Sequence, residues 1–251
     1  MHSIPKRGKT IQDTNKKNGF MSSTLGSSIG KKLLMGISGL FLISFLIIHL
    51  TVNSFLLIPD GGEMFNAAAH FMATTPLIRV IEPLLALGFL VHILYGVKLT
   101  LENRKALGPA RYASGKKTTN VPWASQNMLV LGITVGAFLV LHVAQFWVKM
   151  RLTGDPMLDH TTVNIAGVDT EVENAYALVN YTFSYLWVVV VYVIGAIGLA
   201  IHLSHGFWSA FQTIGLSNTL WRKRLSILGS LFAWVMGLGF SLIAVLQYLF
   251  Y

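Results

Sequence analysis

The sequence predicts an all-α integral membrane bundle of five transmembrane helices, with the N-terminus in the cytoplasm and the C-terminus outside. Three observations predict this fold class. Apolar residues make up 53% of the 251 residues and charged residues only 12%, and the mean hydropathy is +0.60, whereas a soluble domain has about 25% charged residues. Long runs without charge alternate with short charged blocks, and basic residues are concentrated in every second block.

Five apolar segments are long enough to cross the hydrocarbon core, which needs a helix of about 20 residues. In four of them a charge-free run alone reaches this length. The second extends past Arg79 and Glu82 at one end and Lys98 at the other, and such terminal charges can reach the interface. Thr75 followed by Pro76 is a favourable helix start. The predicted spans cover residues 33–58, 76–101, 126–150, 176–211 and 225–250.

The basic residues set the predicted orientation, because cytoplasmic segments keep an excess of Lys and Arg. With the N-terminus inside, all of the 19 basic residues except Arg79, Lys149 and Arg151 fall on the cytoplasmic side. Residues 1–30 are predicted to be a disordered or peripheral cytoplasmic arm, and residues 31–251 the membrane domain. The net charge of +9 therefore suits membrane lipid and a cytoplasmic partner, and no nucleic-acid partner is expected.

The chain contains no cysteine, which excludes iron–sulfur ligation, disulfides and thiol catalysis. Redox chemistry must then come from histidine or a bound cofactor, and we predict no catalytic residue. One histidine falls in each of the first four spans: His49, His92, His142 and His202. Ionisable groups are costly in hydrocarbon and mark functional sites. Paired axial ligation of haem iron explains them, because two neutral imidazoles bury no charge.

The depth of each histidine predicts how the four would pair. At a rise of 1.5 Å per residue, His49 and His142 fall near the outer face of the membrane, whereas His92 and His202 fall near the inner face. We therefore expect two stacked haem iron sites, His49 with His142 outside and His92 with His202 inside, roughly 15 Å apart. For the outer pair the alternative is a hydrogen-bonded core histidine.

Glycines spaced by four residues flank both inner histidines. They are Gly88 and Gly96 around His92, and Gly198 and Gly206 around His202. Residues four apart share a helix face, so each set predicts a flat surface on which a haem macrocycle can lie. Close packing between bare helices is the alternative explanation.

Three further polar residues each allow alternative interpretations. His205 lies three residues after His202 and points about 60° away from it, so it either replaces His202 as ligand or packs near the haem edge, a propionate or a partner subunit. Arg79 and Glu82 lie at the outer mouth of span two. They form either an interfacial ion pair or a site that orients a quinone head group and moves protons.

Five spans, the order of the histidines and the string from His202 to Gln212 (HLSHGFWSAFQ) together resemble the dihaem cytochrome b subunit of respiratory complex II. These proteins are the five-helix anchors of succinate:quinone and quinol:fumarate oxidoreductases, and the resemblance covers residues 21–251. In that family the span-two and span-four histidines ligate the proximal haem and the other two the distal haem. His202 matches the ligand, whereas the family need not have histidine at His205.

The resemblance implies two haems b and a quinone, expected to be menaquinone, in a bacterial cytoplasmic membrane. It also implies a flavoprotein and an iron–sulfur subunit docked on the cytoplasmic face, so that this chain carries electrons and performs no succinate chemistry. Two alternatives remain. One is the cytochrome b subunit of another membrane dehydrogenase, such as a formate dehydrogenase or a hydrogenase. The other is a non-redox transporter or structural membrane protein with buried histidines.

Overall fold

The computed structural model describes residues 26–107, 123–216 and 218–250. Most of the predicted N-terminal arm and part of the predicted basic segment after span two lie outside these residues. The helices are α1 (Ser28–Ser54), α2 (Glu63–Thr74), α3 (Pro76–Leu107), α4 (Trp123–Gln126), α5 (Met128–His142), α6 (Ala175–Phe183), α7 (Leu186–Thr213) and α8 (Thr219–Phe250). Two π-helical segments, Val143–Trp147 and Lys149–Thr153, continue α5.

Five helical segments are long and apolar enough to cross a membrane, so the predicted all-α membrane bundle is confirmed. They are Ser28–Leu57, Pro76–Ala106, Met128–Thr153, Leu186–Thr213 and Thr219–Phe250. The second begins at Pro76 as expected, although the Thr75 hydroxyl donates back to the Phe71 carbonyl. The chain is therefore a multi-pass membrane protein, and the orientation of its termini stays a prediction.

The structure divides the predicted fourth span, residues 176–211, into two helices. Helix α6 ends at Phe183, Tyr185 adopts an extended conformation, and α7 begins at Leu186. The Ser184 hydroxyl bonds to the Tyr181 carbonyl, which helps to end α6. The sequence runs through this break without glycine or proline, and most residues of α6 are buried.

Between the spans, α2, a β-hairpin and α6 form a small unit that we call the cap. Strands β1 (His160–Ile165) and β2 (Val168–Glu173) pair antiparallel. Ala166 and Gly167 have φ of 53° and 87°, as a two-residue hairpin turn requires. Asn66, only 3% exposed, joins the cap by donating to the Asn174 side chain and accepting from the Tyr176 amide.

The membrane helices form a ring of four with a fifth helix outside it. Helix α1 contacts α3, α3 contacts α5, α5 contacts α7, and α7 contacts α1, while α8 packs mainly on α7. Gly237 of α8 lies so close to Ala200 that an added Cβ would be 2.6 Å from the alanine Cβ. The four helices of the ring are the ones that carry a histidine each. Side chains from α1 and α5 therefore meet across the ring, as do those from α3 and α7.

Candidate functional site

The structure brings the four span histidines together in two pairs. The ring centroids of His49 and His142 are 5.6 Å apart, with an angle of 85° between the planes. Those of His92 and His202 are 6.3 Å apart at 68°. All four side chains are half-buried, and each pair joins opposite helices of the ring. These are the pairs that helical depth suggested, while their role as ligands remains a prediction.

The separations suit one metal ion between two imidazoles. Bonds of about 2 Å from a metal to each of two opposing ring nitrogens place the ring centres about 6 Å apart. The inner pair has this spacing, and the outer pair needs a small outward movement. A neutral imidazole also needs a proton on its other nitrogen, so the partners of the Nδ1 atoms decide whether Nε2 is free to bind.

In the inner pair, a serine from α1 holds the histidine of α3. The Ser38 hydroxyl lies 3.3 Å from His92 Nδ1 and donates its own proton to the Met35 carbonyl at 3.1 Å. With that proton directed at Met35, the oxygen is free to accept from His92 Nδ1–H, the tautomer in which Nε2 is unprotonated. The Met35 carbonyl is itself a hydrogen-bond partner of the His92 ring. A Cβ at Gly39 would lie 3.4 Å from His92 Cε1, so this glycine lets α1 approach the His92 imidazole closely.

The outer pair has a similar arrangement built on a tyrosine from α7. The Tyr192 hydroxyl donates to Gln145 Oε1 at 2.7 Å and lies 3.4 Å from His142 Nδ1, so it accepts from Nδ1–H. Opposite, Asn53 Nδ2 lies 3.5 Å from His49 Nδ1 and bonds to the His49 carbonyl at 2.7 Å. Aromatic rings surround the pair: Phe45, Phe138, Phe146 and Phe240.

Among the four paired histidines, His202 is the one whose Nδ1 has no hydrogen-bond partner in the described chain, and this nitrogen is buried. A Cβ at Gly132 of α5 would lie 4.0 Å from its Cε1. Four imidazoles in a largely apolar setting fit haem iron, which takes axial imidazole ligands, and two of them, His92 and His142, have a hydroxyl oxygen beside Nδ1.

The four predicted glycines have different surroundings. A Cβ at Gly88 would lie 2.8 Å from the Phe41 ring, one at Gly96 3.5 Å from Met35 Cε, and one at Gly198 3.3 Å from Thr134 Cγ2. These three face neighbouring helices, as the helix-packing alternative expects. At Gly206 a Cβ would meet no atom of the described chain within 4 Å. Gly39 and Gly132, which face the imidazoles, were not predicted, because neither stands four residues from a histidine.

Arg79 and Glu82 do not pair with each other, which argues against the ion-pair alternative. Arg79 Nε donates to the Ala73 carbonyl at 3.1 Å. Glu82 instead accepts hydrogen bonds from the Trp147 indole and, at 3.4 Å, from the Arg151 guanidinium. Both donors belong to the π-helical continuation of α5, just beyond His142.

His205 belongs to neither ring pair. Its ring meets Trp208 edge-on with centroids 5.5 Å apart, and the Arg222 guanidinium lies 5.2 Å from the Trp208 ring. The structure therefore favours His92–His202 over His92–His205 as the inner pair. Among the remaining described histidines, His70 lies in α2 of the cap and His160 begins β1.

The fold and the histidine pairs define a class: a multi-pass helical membrane protein with two pairs of histidines in one ring of helices. The chain is similar to a protein of known identity, the succinate dehydrogenase cytochrome b558 subunit of Bacillus subtilis (strain 168). The chain is 26% identical to it over 183 residues, which are 72% of this chain and 77% of that protein. This similarity confirms the resemblance predicted from the sequence. No protein-family model matches the chain, and no solved structure matches it.

Proposed function

We propose that this chain is the membrane-anchoring dihaem cytochrome b subunit of a succinate:quinone oxidoreductase or a quinol:fumarate reductase. The similarity to the Bacillus subtilis protein supports the assignment as a cytochrome b subunit of succinate dehydrogenase. The observation that supports the two haems is the presence of two histidine pairs, His92 with His202 at the spacing that one iron needs and His49 with His142 slightly closer.

The residues of each pair would hold a haem b, which when bound supplies a one-electron redox centre at that level of the membrane. Nε2 of each imidazole faces the iron in this proposal. Ser38 and Tyr192 fix the protonated Nδ1 atoms on one side of the inner and outer pairs. Stacking two such sites in one ring provides a path for electrons between the two faces of the membrane.

Glu82 and Arg79 are the proposed quinone site, next to the outer pair. Glu82 is linked to Trp147, five residues after His142, so its carboxylate lies at the outer end of the helix that carries this ligand. Oxidation of a quinol releases two electrons and two protons. The carboxylate offers a proton acceptor, and the Arg79 guanidinium, held to one backbone carbonyl, has further donors for a quinone oxygen.

The proposed partners are a flavoprotein and an iron–sulfur subunit on the cytoplasmic face. Basic residues cluster at the ends of three membrane helices that the predicted orientation places on that face: Lys31, Lys32, Lys98, Arg104, Lys105, Arg222, Lys223 and Arg224. Such a surface favours docking of an acidic protein. The partners would perform the succinate chemistry.

Purification of the complex through a tag on this chain tests the proposed partners. We expect a flavoprotein and an iron–sulfur protein to copurify, and added succinate to reduce the haem absorbance. Haem that formate or hydrogen reduces, but succinate does not, would assign the chain to another dehydrogenase. Well-folded protein without haem would leave the non-redox alternative.

The quinone site has its own test. Glu82→Gln should retain both haems but slow quinone turnover about 100-fold, the order expected when a positioned proton acceptor is removed. The matched control is Glu102→Gln, because Glu102 pairs with Lys31 at the opposite end of α3. Unchanged turnover in Glu82→Gln would place the quinone elsewhere.

A further inference from the structure

Each histidine pair contains one imidazole that bonds to a hydroxyl from a different helix. In the inner pair it is His92, held by Ser38 of α1, and in the outer pair it is His142, held by Tyr192 of α7. In both cases the hydroxyl proton is used elsewhere, on the Met35 carbonyl or on Gln145 Oε1. Both hydroxyl-bearing residues are buried, each with 8% exposure.

The other imidazole of each pair lacks this arrangement. His202 Nδ1 has no partner in the described part of the chain. His49 Nδ1 faces an amide nitrogen, Asn53 Nδ2, at 3.5 Å, and that amide is bound more closely to the His49 carbonyl. Two levels of the membrane therefore repeat one design, with a single hydroxyl-supported histidine in each.

We propose that Ser38 and Tyr192 are positioning residues that fix the tautomer and orientation of His92 and His142 and so tune the redox potential at each site separately. This inference rests on the proposed function. An acceptor on Nδ1–H keeps the proton there, presents Nε2 to the metal and increases the electron donation of the ring. Greater donation stabilises the oxidised iron, so each hydroxyl lowers the midpoint potential of its own haem.

Two substitutions remove the hydroxyls with little change in shape. Tyr192→Phe keeps the aromatic ring that packs against Phe138 and Phe183, and Ser38→Ala removes one oxygen from α1. The matched controls are Tyr181→Phe, whose hydroxyl meets Tyr185, and Ser44→Ala, whose hydroxyl bonds only to the Phe41 carbonyl of its own helix. Ser38→Thr restores a hydroxyl at the inner site.

The experiment is a redox titration of both haems in the purified holoprotein, with each haem identified by its loss in His92→Ala or His142→Ala. We expect Ser38→Ala to raise the midpoint potential of the inner haem alone and Tyr192→Phe that of the outer haem alone. Ser38→Thr should return the inner potential toward wild type. The affinity of the altered site for haem, measured by transfer to a haem-free acceptor protein, should be lower than in wild type by about tenfold or more.

Unchanged potentials, a lowered potential, or a shift at the wrong haem would overturn the inference while leaving two haems, and therefore the proposed function, in place. If the wild-type protein binds no haem, the proposed function fails. Nitrogen-15 spectra of histidine-labelled protein then show which tautomers His92 and His142 adopt. Loss of the Nδ1–H signals of His92 and His142 in the same two variants would still support positioning by Ser38 and Tyr192. Spectra identical to wild type would exclude it.

Discussion

His202 and His205 lie three residues apart on α7 and have different surroundings. His202 faces His92 across the ring, whereas His205 packs on Trp208. We predict that His202→Ala loses one of two haems and that His205→Ala keeps both. The measurement is the haem content per polypeptide after pyridine extraction. Loss of a haem in His205→Ala alone would reverse the assignment.

Asp155, just beyond the third span, makes the stability of that helix end depend on pH. The hydrogen bond from the Lys149 ammonium, together with the Met157 amide, holds the pKa of the Asp155 carboxyl below its ordinary value. A lowered pKa stabilises the fold above the unfolded value of about 3.9 and ceases to do so as the pH falls through the folded value. We expect Asp155→Asn to lower the unfolding temperature at pH 7 and the difference to shrink on acidification. A difference that persists after the carboxyl is protonated would contradict this cause.

At the residue scale, the paired histidines could be predicted from the sequence, because histidine in hydrocarbon is rare and helical depth follows from counting residues. The hydroxyl groups that contact these imidazoles could not be predicted. Ser38 precedes His92 by 54 residues and Tyr192 follows His142 by 50, and such contacts depend on how the helices are rotated. For the same reason the partner of Glu82 could not be predicted. Glu82 bonds to Arg151, 69 residues away, rather than to its neighbour Arg79.

At the scale of helices, Gly237 determines how closely α8 packs on α7. A Cβ there would lie 2.6 Å from Ala200 Cβ and 3.0 Å from the Ala196 carbonyl oxygen. We predict that Gly237→Ala costs about 1–3 kcal/mol through overpacking and lowers the unfolding temperature in detergent.

The matched control is Gly206→Ala on α7, where an added Cβ meets nothing within 4 Å in the described chain. Alanine in a helix interior is favoured over glycine, so this variant should unfold at the wild-type temperature or slightly above it. Retained stability with loss of the inner haem would support the predicted role of Gly206 in haem packing. Equal destabilisation of both variants would contradict the packing argument for Gly237.

The five spans could be predicted because each is a long apolar segment bounded by charge. The cap was missed. Its hairpin has only six residues in each strand, and it is held by contacts distant in sequence, such as the hydrogen bond from the Asn164 amide to the Glu63 carboxylate. Buried Val163 and Val172, each 2% exposed, show that the hairpin packs its apolar side onto the helices. The end of α6 could not be predicted either, because no glycine or proline marks it in the sequence.

At the scale of the whole molecule, the predicted orientation can be tested directly because the chain has no cysteine. A single cysteine at Asp169 in the hairpin should react with a membrane-impermeant maleimide in intact cells. A cysteine at Lys223, near the start of α8 on the basic face, should react only after the membrane is opened. The reverse pattern would show the opposite orientation in the membrane and would place the proposed docking face outside the cell.

Whether one chain holds two haems through two histidine pairs is decided by the haem b content of purified wild-type protein and of His49→Ala and His92→Ala. We expect two haems per wild-type polypeptide and one in each variant, with the two variants retaining different haems by their reduced-minus-oxidised spectra. One haem in the wild type, or two in either variant, would contradict the four-histidine arrangement.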